Sequence, residues 1–232
     1  MNNSDSSELL KRLGLNIDTE TFQQALVHRS YSFENPGTPH NERLEFLGDS
    51  VLSLAIAEDV YRRFPNEPEG ELVRRHHVVV SSWALAKVAR TLNLGAYLWL
   101  GKGEEKTGGA DKDSILADTL EAIFGMCYIT LGRDRARDLV LELIAPMLDD
   151  QEILDAGRDW KTELQEIVQS QKLGDIRYEV SVSGPEHAPE YTATVHIANT
   201  TYHQGVASSK KESERLAAQK TCKELQSHHQ DA

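Results

Sequence analysis

Cysteines and long apolar runs are scarce in this chain. Cys127 and Cys222 are its two cysteines, and they lie far apart, with no CxxC pair and no cluster of cysteine and histidine. This spacing argues against a disulfide scaffold or a structural zinc site, and it fits a reducing cytoplasm. No run approaches the roughly 18 apolar residues of a membrane span, and the N-terminal residues do not resemble a signal peptide. We therefore expect a cytoplasmic protein with no membrane partner.

Basic residues are the minority charge. The 25 lysines and arginines are outnumbered by 37 acids, so the formal net charge is −12. Such a total disfavours a nucleic-acid partner, but it also averages over local patches. Most of the acidity lies in residues 1–158, which hold 26 acids and 17 bases, whereas residues 159–232 hold 11 and 8. The positions of individual charges are therefore more informative than their sum.

The apolar pattern changes its period near residue 158. Before this point apolar residues recur at spacings of three and four, which predicts helices. After it, residues 177–182 and 191–197 alternate with period two, a third extended segment covers 201–207, and helical segments flank all three. The predicted organisation is an all-α domain at 1–152, a linker at 153–158, a small α+β domain of order α-β-β-β-α at 159–228, and a frayed tail at 229–232.

Three acids lie in phase on one predicted helix. In HNERLEFLGDSVL at 40–52, Glu42, Glu45 and Asp49 fall within an arc of about 60°. Carboxylates this close repel one another, and the surrounding residues are mostly apolar. Gly48, in the same helix, lowers intrinsic helix stability by roughly 1 kcal/mol relative to alanine. Some other interaction must compensate for both costs.

A second apolar segment repeats this design. SILADTLEAIF at 114–124 places Asp118 and Glu121 three residues apart. An isolated pair of this kind is usually a solvated face with scattered arginine partners. Five in-phase acids on two apolar helices instead favour a divalent-cation site, because acids are rarely buried unless they are paired or bind metal. Ligation by oxygen alone suits Mg²⁺ or Mn²⁺ better than zinc, and Mg²⁺ held by carboxylates commonly meets substrate phosphates.

Four segments of the chain resemble the ribonuclease III family. They are HNERLEFLGDSVL at 40–52, DSILADTLEAIFG at 113–125, ALVHRSY at 25–31 and GKGEEKTGG at 101–109. The resemblance implies an all-helical endonuclease domain that forms a homodimer and cleaves double-stranded RNA. It implies Mg²⁺ as the cofactor, with Mn²⁺ as a substitute, and no small-molecule cofactor. It also implies 5′-phosphate and 3′-hydroxyl ends, and a role in processing structured precursor rRNA and other transcripts.

The resemblance assigns roles to residues of the first domain. Glu45, Asp49, Asp118 and Glu121 match the metal-binding carboxylates of the family. Of these, Asp49 and Glu121 are the catalytic residues that we expect to be most sensitive to substitution. A bound cation would activate water, and a second about 3.5–4 Å away would stabilise the leaving 3′ oxygen.

Three further residues of this domain match family positions. Glu42 and Glu69 match acids that support a second metal or the substrate. Phe46 follows Glu45, and the sequence alone would place its ring in the core. The resemblance implies instead that Phe46 inserts into the partner subunit at a dimer interface.

The α-β-β-β-α order of the second domain resembles the double-stranded-RNA-binding domain. Ser209 to Glu212 has the pattern of a capping box, and two lysines follow Ser209 in the first turn of the last helix. A helix N-terminus with lysines favours phosphate. The resemblance implies RNA contacts from Thr162, Gln165, Glu166, His187, Lys210, Lys211 and Arg215. Recognition would follow the A-form shape over roughly 16 base pairs.

Two other functions remain open from the sequence. One is a double-stranded-RNA-binding regulator that does not cleave, and the other is a nuclease directed to DNA. The four matched carboxylates favour an enzyme over a regulator, because a binding protein does not need a repulsive acidic cluster. Ala110, Ala207 and Arg215 depart from the common family pattern. The change at Ala110 affects one expected substrate contact and leaves the metal ligands intact.

Overall fold

Two compact units make up the chain in the computed structural model, which describes residues 6–156, 158–185 and 187–230. One unit comprises Met1–Gly157 and the other Arg158–Ala232. Each unit has its own hydrophobic core.

The first unit is helical. Its α-helices are α1 (Ser6–Arg12), α2 (Thr19–Gln23), α3 (Arg29–Glu34), α4 (Glu42–Arg63), α5 (Glu69–Val79), α6 (Ser82–Thr91), α7 (Lys102–Lys106), α8 (Asp113–Leu131), α9 (Arg133–Ile144) and α10 (Gln151–Ala156). Short 3₁₀ turns occur at Gln24–Leu26, Leu94–Tyr97, Gly109–Asp111 and Ala145–Asp149. Within the described part of this unit, extended pairing is limited to an isolated bridge between Val27 and Trp99. The predicted all-α first domain is confirmed.

Helices α4 and α8 cross in direct backbone contact. A Cβ atom on Gly48 would lie 1.7 Å from the carbonyl oxygen of Glu121, and one on Gly125 would lie 2.1 Å from that of Leu44. A larger residue at either position would therefore force the two main chains apart. The close packing that Gly48 permits compensates for its low helix propensity, since most helix stability in proteins comes from tertiary packing.

Helix α8 forms much of the core of the first unit. Its buried side chains include Leu116, Leu120 and Phe124. By length and composition α8 could also cross a membrane, but 61% of the relevant window is buried inside the unit. A helix packed on several sides has this composition because few of its residues meet solvent. The apolar character of α8 is therefore accounted for by the core.

Residues 153–156 are helical, although the sequence placed them in the linker at 153–158. They belong to α10, where Ile153 and Leu154 are 4% and 3% exposed and join the core of the first unit. Burial of these two adjacent apolar side chains favours docking of this short helix on the core. The first unit accordingly extends beyond residue 152 and ends at Gly157.

The second unit places two helices on one face of a three-stranded sheet. Its elements are α11 (Trp160–Ser170), β1 (Ile176–Ser183), β2 (Glu190–Ile197), β3 (Thr200–Ala207) and α12 (Lys210–Gln230). The sheet is antiparallel with order β1-β2-β3, and Ala193 pairs with Val180 on one side and Gly205 on the other. Trp160 and Ala193 are both fully buried in its core. The predicted α-β-β-β-α order is confirmed.

The predicted tail at 229–232 falls partly within α12. This helix continues to Gln230, so its backbone extends two residues into that segment. Residues 231 and 232 lie outside the described residues.

Candidate functional site

Carboxylates from α4 and α8 converge beside the glycine contact between these helices. Glu45 lies three residues before Gly48 on α4, while Asp118 and Glu121 lie within two turns before Gly125 on α8. One carboxylate oxygen from each of Glu45, Asp118 and Glu121 lies within 4.8 Å of the other two. We call these three residues the acidic cluster. The absence of a Cβ at the crossing allows the helices, and therefore the carboxylates, to come this close.

Burial makes the acidic cluster electrostatically unfavourable without a cation. Burial, followed by the charges of Asp49, Asp118 and Glu45, raises the pKa of Glu121 to about 8. Burial also raises the pKa of Glu45 and of Asp118 above their ordinary values. Within the described ranges, no lysine or arginine forms an ion pair with any of the three carboxylates. An oxygen-only set of this kind fits Mg²⁺ or Mn²⁺, whose charge would relieve the repulsion.

Asp49 lies beside the acidic cluster rather than within it. Its side chain is exposed on α4, and its charge raises the pKa of both Glu121 and Glu45. The structure thus brings three of the four predicted metal ligands together and places Asp49 within electrostatic reach of them.

Glu42 and Glu69 occupy different surroundings. The carboxylate of Glu42 lies 3.3 Å from Arg29 Nη1 and 3.6 Å from His40 Nδ1, and its charge raises the pKa of Glu45. Glu69 is exposed at the first position of α5. Among the residues that the structure describes, no hydrogen bond or ion pair links Glu69 to the acidic cluster. The structure therefore brings Glu42, and not Glu69, to the edge of the site.

A cavity of about 370 Å³ opens beside the acidic cluster. Glu45 and Asp118 line it together with His28, Arg29 and Lys112. Burial lowers the pKa of His28, whose Nδ1 accepts a hydrogen bond from the backbone N–H of Ser30 and caps α3. Arg29 and Lys112 were missed as site residues by the sequence reasoning. The sequence signal for Arg29 was its position in the family-like segment at 25–31. The signal for Lys112 was its position next to the second acidic helix.

Helix α4 exposes three large apolar side chains. Phe46 is 79% exposed, Tyr61 73% and Leu54 58%. The core position that the sequence alone suggested for Phe46 is therefore wrong within the single chain. A small cavity of about 150 Å³ lies on the same helix, lined by Leu54 and Ala55 together with Tyr128.

The predicted RNA contacts of the second unit lie at the surface. Gln165 and Glu166 are exposed on α11, and Thr162 Oγ1 donates a hydrogen bond to Asp159 at 2.9 Å. His187 is exposed in the loop between β1 and β2. Lys210 and Lys211 are exposed in the first turn of α12.

The first turn of α12 differs in one respect from the predicted capping box. Ser209 Oγ accepts a hydrogen bond from the backbone N–H of Glu212 at 3.3 Å, as expected for a cap. The carboxylate of Glu212, however, accepts two hydrogen bonds from Arg215, at 2.9 and 2.7 Å, and does not reach back to Ser209. This pair lowers the pKa of Glu212 and draws Arg215 toward its own helix. A guanidinium group one turn away competes well with a backbone N–H for the carboxylate of Glu212.

Comparisons with known proteins match each of the two units to a known family. Residues 18–148 match the family model described as Ribonuclease-III-like, and residues 160–225 match the double-stranded RNA binding motif. The chain is 50% identical to ribonuclease 3 of Nocardia farcinica over 92% of this chain and 90% of that one. It is 48% identical to ribonuclease 3 of Streptomyces coelicolor over 90% of this chain and 75% of that one.

A solved structure supports the same relationship for the first unit. It is the nuclease domain of ribonuclease III from Campylobacter jejuni, whose description names a region involved in dimer formation. The two chains are 36% identical, with a TM-score of 0.57, and the match covers 61% of this chain and 96% of the Campylobacter chain. Together with the acidic cluster and the α-β-β-β-α unit, these matches show that the chain belongs to the ribonuclease III family.

Proposed function

We propose that the acidic cluster, with Asp49, binds Mg²⁺ and is the centre at which this chain hydrolyses phosphodiester bonds of RNA. Family membership makes the chain an endoribonuclease specific for double-stranded RNA. The observation that carries the assignment of the site is the convergence of three partly buried carboxylates within 4.8 Å. Such a cluster is costly without a cation, and this cost supports a metal ion as its ligand.

Each carboxylate would provide a negatively charged oxygen ligand for the cation at a defined position. Glu45, Asp118 and Glu121 supply oxygens from two helices that approach to backbone contact at Gly48 and Gly125. Bound Mg²⁺ would supply a water of lowered pKa and would stabilise the leaving oxygen. Asp49, exposed beside the cluster, is placed to orient that water or to complete the ligand set. Mn²⁺ would substitute because it accepts the same oxygen ligands.

The second unit supports binding by shape rather than by sequence. Exposed polar side chains on α11 and exposed lysines at the start of α12 suit 2′-hydroxyls and phosphates. Recognition of this kind selects helical segments of any sequence. We therefore propose structured precursor RNAs, rRNA among them, as substrates, with 5′-phosphate and 3′-hydroxyl ends on the products.

We also propose that the chain acts as a homodimer in the cytoplasm. The apolar face of α4, formed by Phe46, Leu54 and Tyr61, is exposed in the single chain, and such faces mark interaction sites. Two copies crossing antiparallel at α4 would bring Phe46 of each near the 150 Å³ cavity of the other. Cys127 and Cys222 are buried free thiols, which suits a reducing compartment.

Cleavage of a long RNA duplex tests the proposed activity. Wild-type protein with Mg²⁺ should cut the duplex, whereas Asp49→Asn and Glu121→Gln should reduce the rate by about a thousandfold or more if each holds the metal. Glu20→Gln, at an exposed position of α2, is a charge-matched control that should cut at the wild-type rate. Uncut duplex with wild-type protein would contradict the proposal.

Two further arms separate the remaining alternatives. A chelator should abolish cleavage by wild-type protein, and added Mg²⁺ should restore it. A DNA duplex of the same sequence should remain intact, since the second unit is matched to A-form RNA. Equal cleavage of DNA and RNA would favour the DNA-directed alternative.

A further inference from the structure

We propose that Arg29 and Lys112 bind a phosphate of the substrate strand adjacent to the phosphate that is cleaved. This inference rests on the proposed function, and it adds a substrate contact to the same site. The cavity beside the acidic cluster is then a channel for the RNA backbone, and its two cations hold the strand in position.

The cavities around Arg29 place it on a path that leads away from the acidic cluster. The 370 Å³ cavity reaches Glu45 and Asp118, and a second cavity of about 410 Å³ lies against α3 and α7. His28, Arg29 and Glu104 line both of them. A strand that enters at the acidic cluster and continues through this space passes the guanidinium group of Arg29.

The charges along this path explain why cations are needed there. Glu42 and Glu104 line the first cavity in addition to Glu45 and Asp118. When one phosphate is held at the cluster, the strand carries a further charged phosphate on each side of it. The acids that line the cavity would repel such a neighbouring phosphate. Arg29 lies 3.3 Å from Glu42, and Lys112 lies 2.6 Å from Glu104. Each cation therefore offsets the acid that a neighbouring phosphate would otherwise meet.

Both cations retain hydrogen-bond donors for a ligand. Arg29 has five N–H groups, and one described hydrogen bond uses one of them, to Glu42. Lys112 has three, of which two reach Glu104 and Thr107. The Arg29–Glu42 pair is exposed, with side chains 72% and 44% accessible, so it contributes little to stability and can open for a phosphate.

Binding of a short RNA duplex at several salt concentrations tests this inference. The full chain carrying Glu121→Gln serves as the parent, so that bound duplex is not cut. Adding Arg29→Gln or Lys112→Gln should weaken binding about threefold to tenfold and lower the slope of log K against log salt by about one. Lys87→Gln, at an exposed position on α6 that lines neither cavity, should leave affinity and slope unchanged.

A neutral linkage in the RNA identifies the phosphate concerned. The cleavage position is first mapped with wild-type protein in Mg²⁺, and a methylphosphonate then replaces the adjacent phosphate. It should weaken binding of the parent, cause a smaller further loss in the Arg29→Gln and Lys112→Gln variants, and cause almost none in the variant that carries both changes. Additive losses for both variants would overturn the inference.

Two controls keep the possible failures apart. Thermal unfolding of Arg29→Gln and Lys112→Gln, with and without Mg²⁺, should match the parent, which excludes a folding defect as the cause of weaker binding. Cleavage by the wild type combined with additive losses overturns this inference alone. Failure of the wild type to cleave overturns the proposed function, and this inference with it.

Discussion

Among the described residues, Glu121 is a carboxylate without a lysine or arginine partner. It is more deeply buried than an ordinary surface acid, and Asp49, Asp118 and Glu45 surround it with charge of the same sign. Both effects disfavour its ionised form and raise its pKa to about 8. Without a cation, the folded chain therefore holds a proton at Glu121 that the unfolded chain releases near its ordinary pKa.

The stability of the metal-free protein should fall as the pH rises from about 4.5 to about 8. In this window the unfolded chain ionises Glu121 freely, whereas the folded chain does so at a cost. In a chelator at pH 8, Glu121→Gln should melt above the wild type, by roughly 2–4 °C for each kcal/mol relieved. The difference should shrink toward pH 5, where wild-type Glu121 is neutral in the folded state.

Thermal denaturation monitored by circular dichroism, at pH 5 and pH 8, with and without Mg²⁺, measures both effects. Mg²⁺ should raise the melting temperature of the wild type at pH 8 more than that of Glu121→Gln, because binding to the folded state stabilises it. Equal melting temperatures of the two proteins in chelator at pH 8 would contradict this account.

At the scale of elements, the crossing of α4 and α8 determines the geometry of the site. Gly48 and Gly125 allow the two main chains to touch, and the acidic residues lie within two turns of that contact. The geometry of the acidic cluster therefore depends on two residues that carry no functional group. Substitution at either glycine should alter the separation of the carboxylates as well as the packing.

Gly48→Ala should destabilise the protein by at least the about 1–3 kcal/mol typical of overpacking, since its Cβ would lie 1.7 Å from the Glu121 carbonyl oxygen. It should also weaken Mg²⁺ binding. Gly70→Ala is the matched control, because Gly70 is also helical and a Cβ there meets nothing within 4 Å. This change should be neutral or stabilising by up to about 1 kcal/mol. Urea denaturation and Mg²⁺ titration calorimetry measure both variants, and equal behaviour would contradict the packing account.

The helices and the acidic cluster were predictable from the sequence, because periodicity and in-phase carboxylates are local properties of a chain. The positions of Arg29 and Lys112 were not, since these residues lie outside the two acidic helices and reach the cavity through tertiary packing. The role of Gly48 was likewise hidden, because its helix-propensity cost is visible in sequence while its partner, Gly125, is 77 residues away. The pairing of Glu212 with Arg215 depended on a choice between two nearby partners, which the sequence pattern alone does not decide.

At the scale of the whole molecule, the exposed face of α4 is the feature that a single chain leaves unexplained. Phe46 is 79% exposed although it lies next to Glu45. An interface there would bury its ring and restrain the helix that carries part of the acidic cluster. Assembly and catalysis would then depend on the same helix.

Phe46→Ala should weaken the dimer by about a hundredfold or more. Two rings are lost per dimer, and each contributes roughly 1.5–3 kcal/mol when buried. Phe33→Ala is the matched control, because Phe33 is 88% exposed but lies on α3 rather than α4. Sedimentation velocity over a range of concentrations measures both proteins, and equal dissociation constants for the two variants would contradict the proposed interface.

The contact between Gly48 and Gly125 also bears on how this molecule tolerates sequence change. The spacing of the two helices at that point is determined by main-chain atoms, which are the same whatever side chains surround them. A core substitution that leaves this contact intact should therefore lower the fraction of folded molecules before it changes the geometry of the acidic cluster in those that remain folded. Substitutions in the core should therefore lower the yield of folded protein more than the turnover number. The two glycines, in contrast, have almost no freedom to vary.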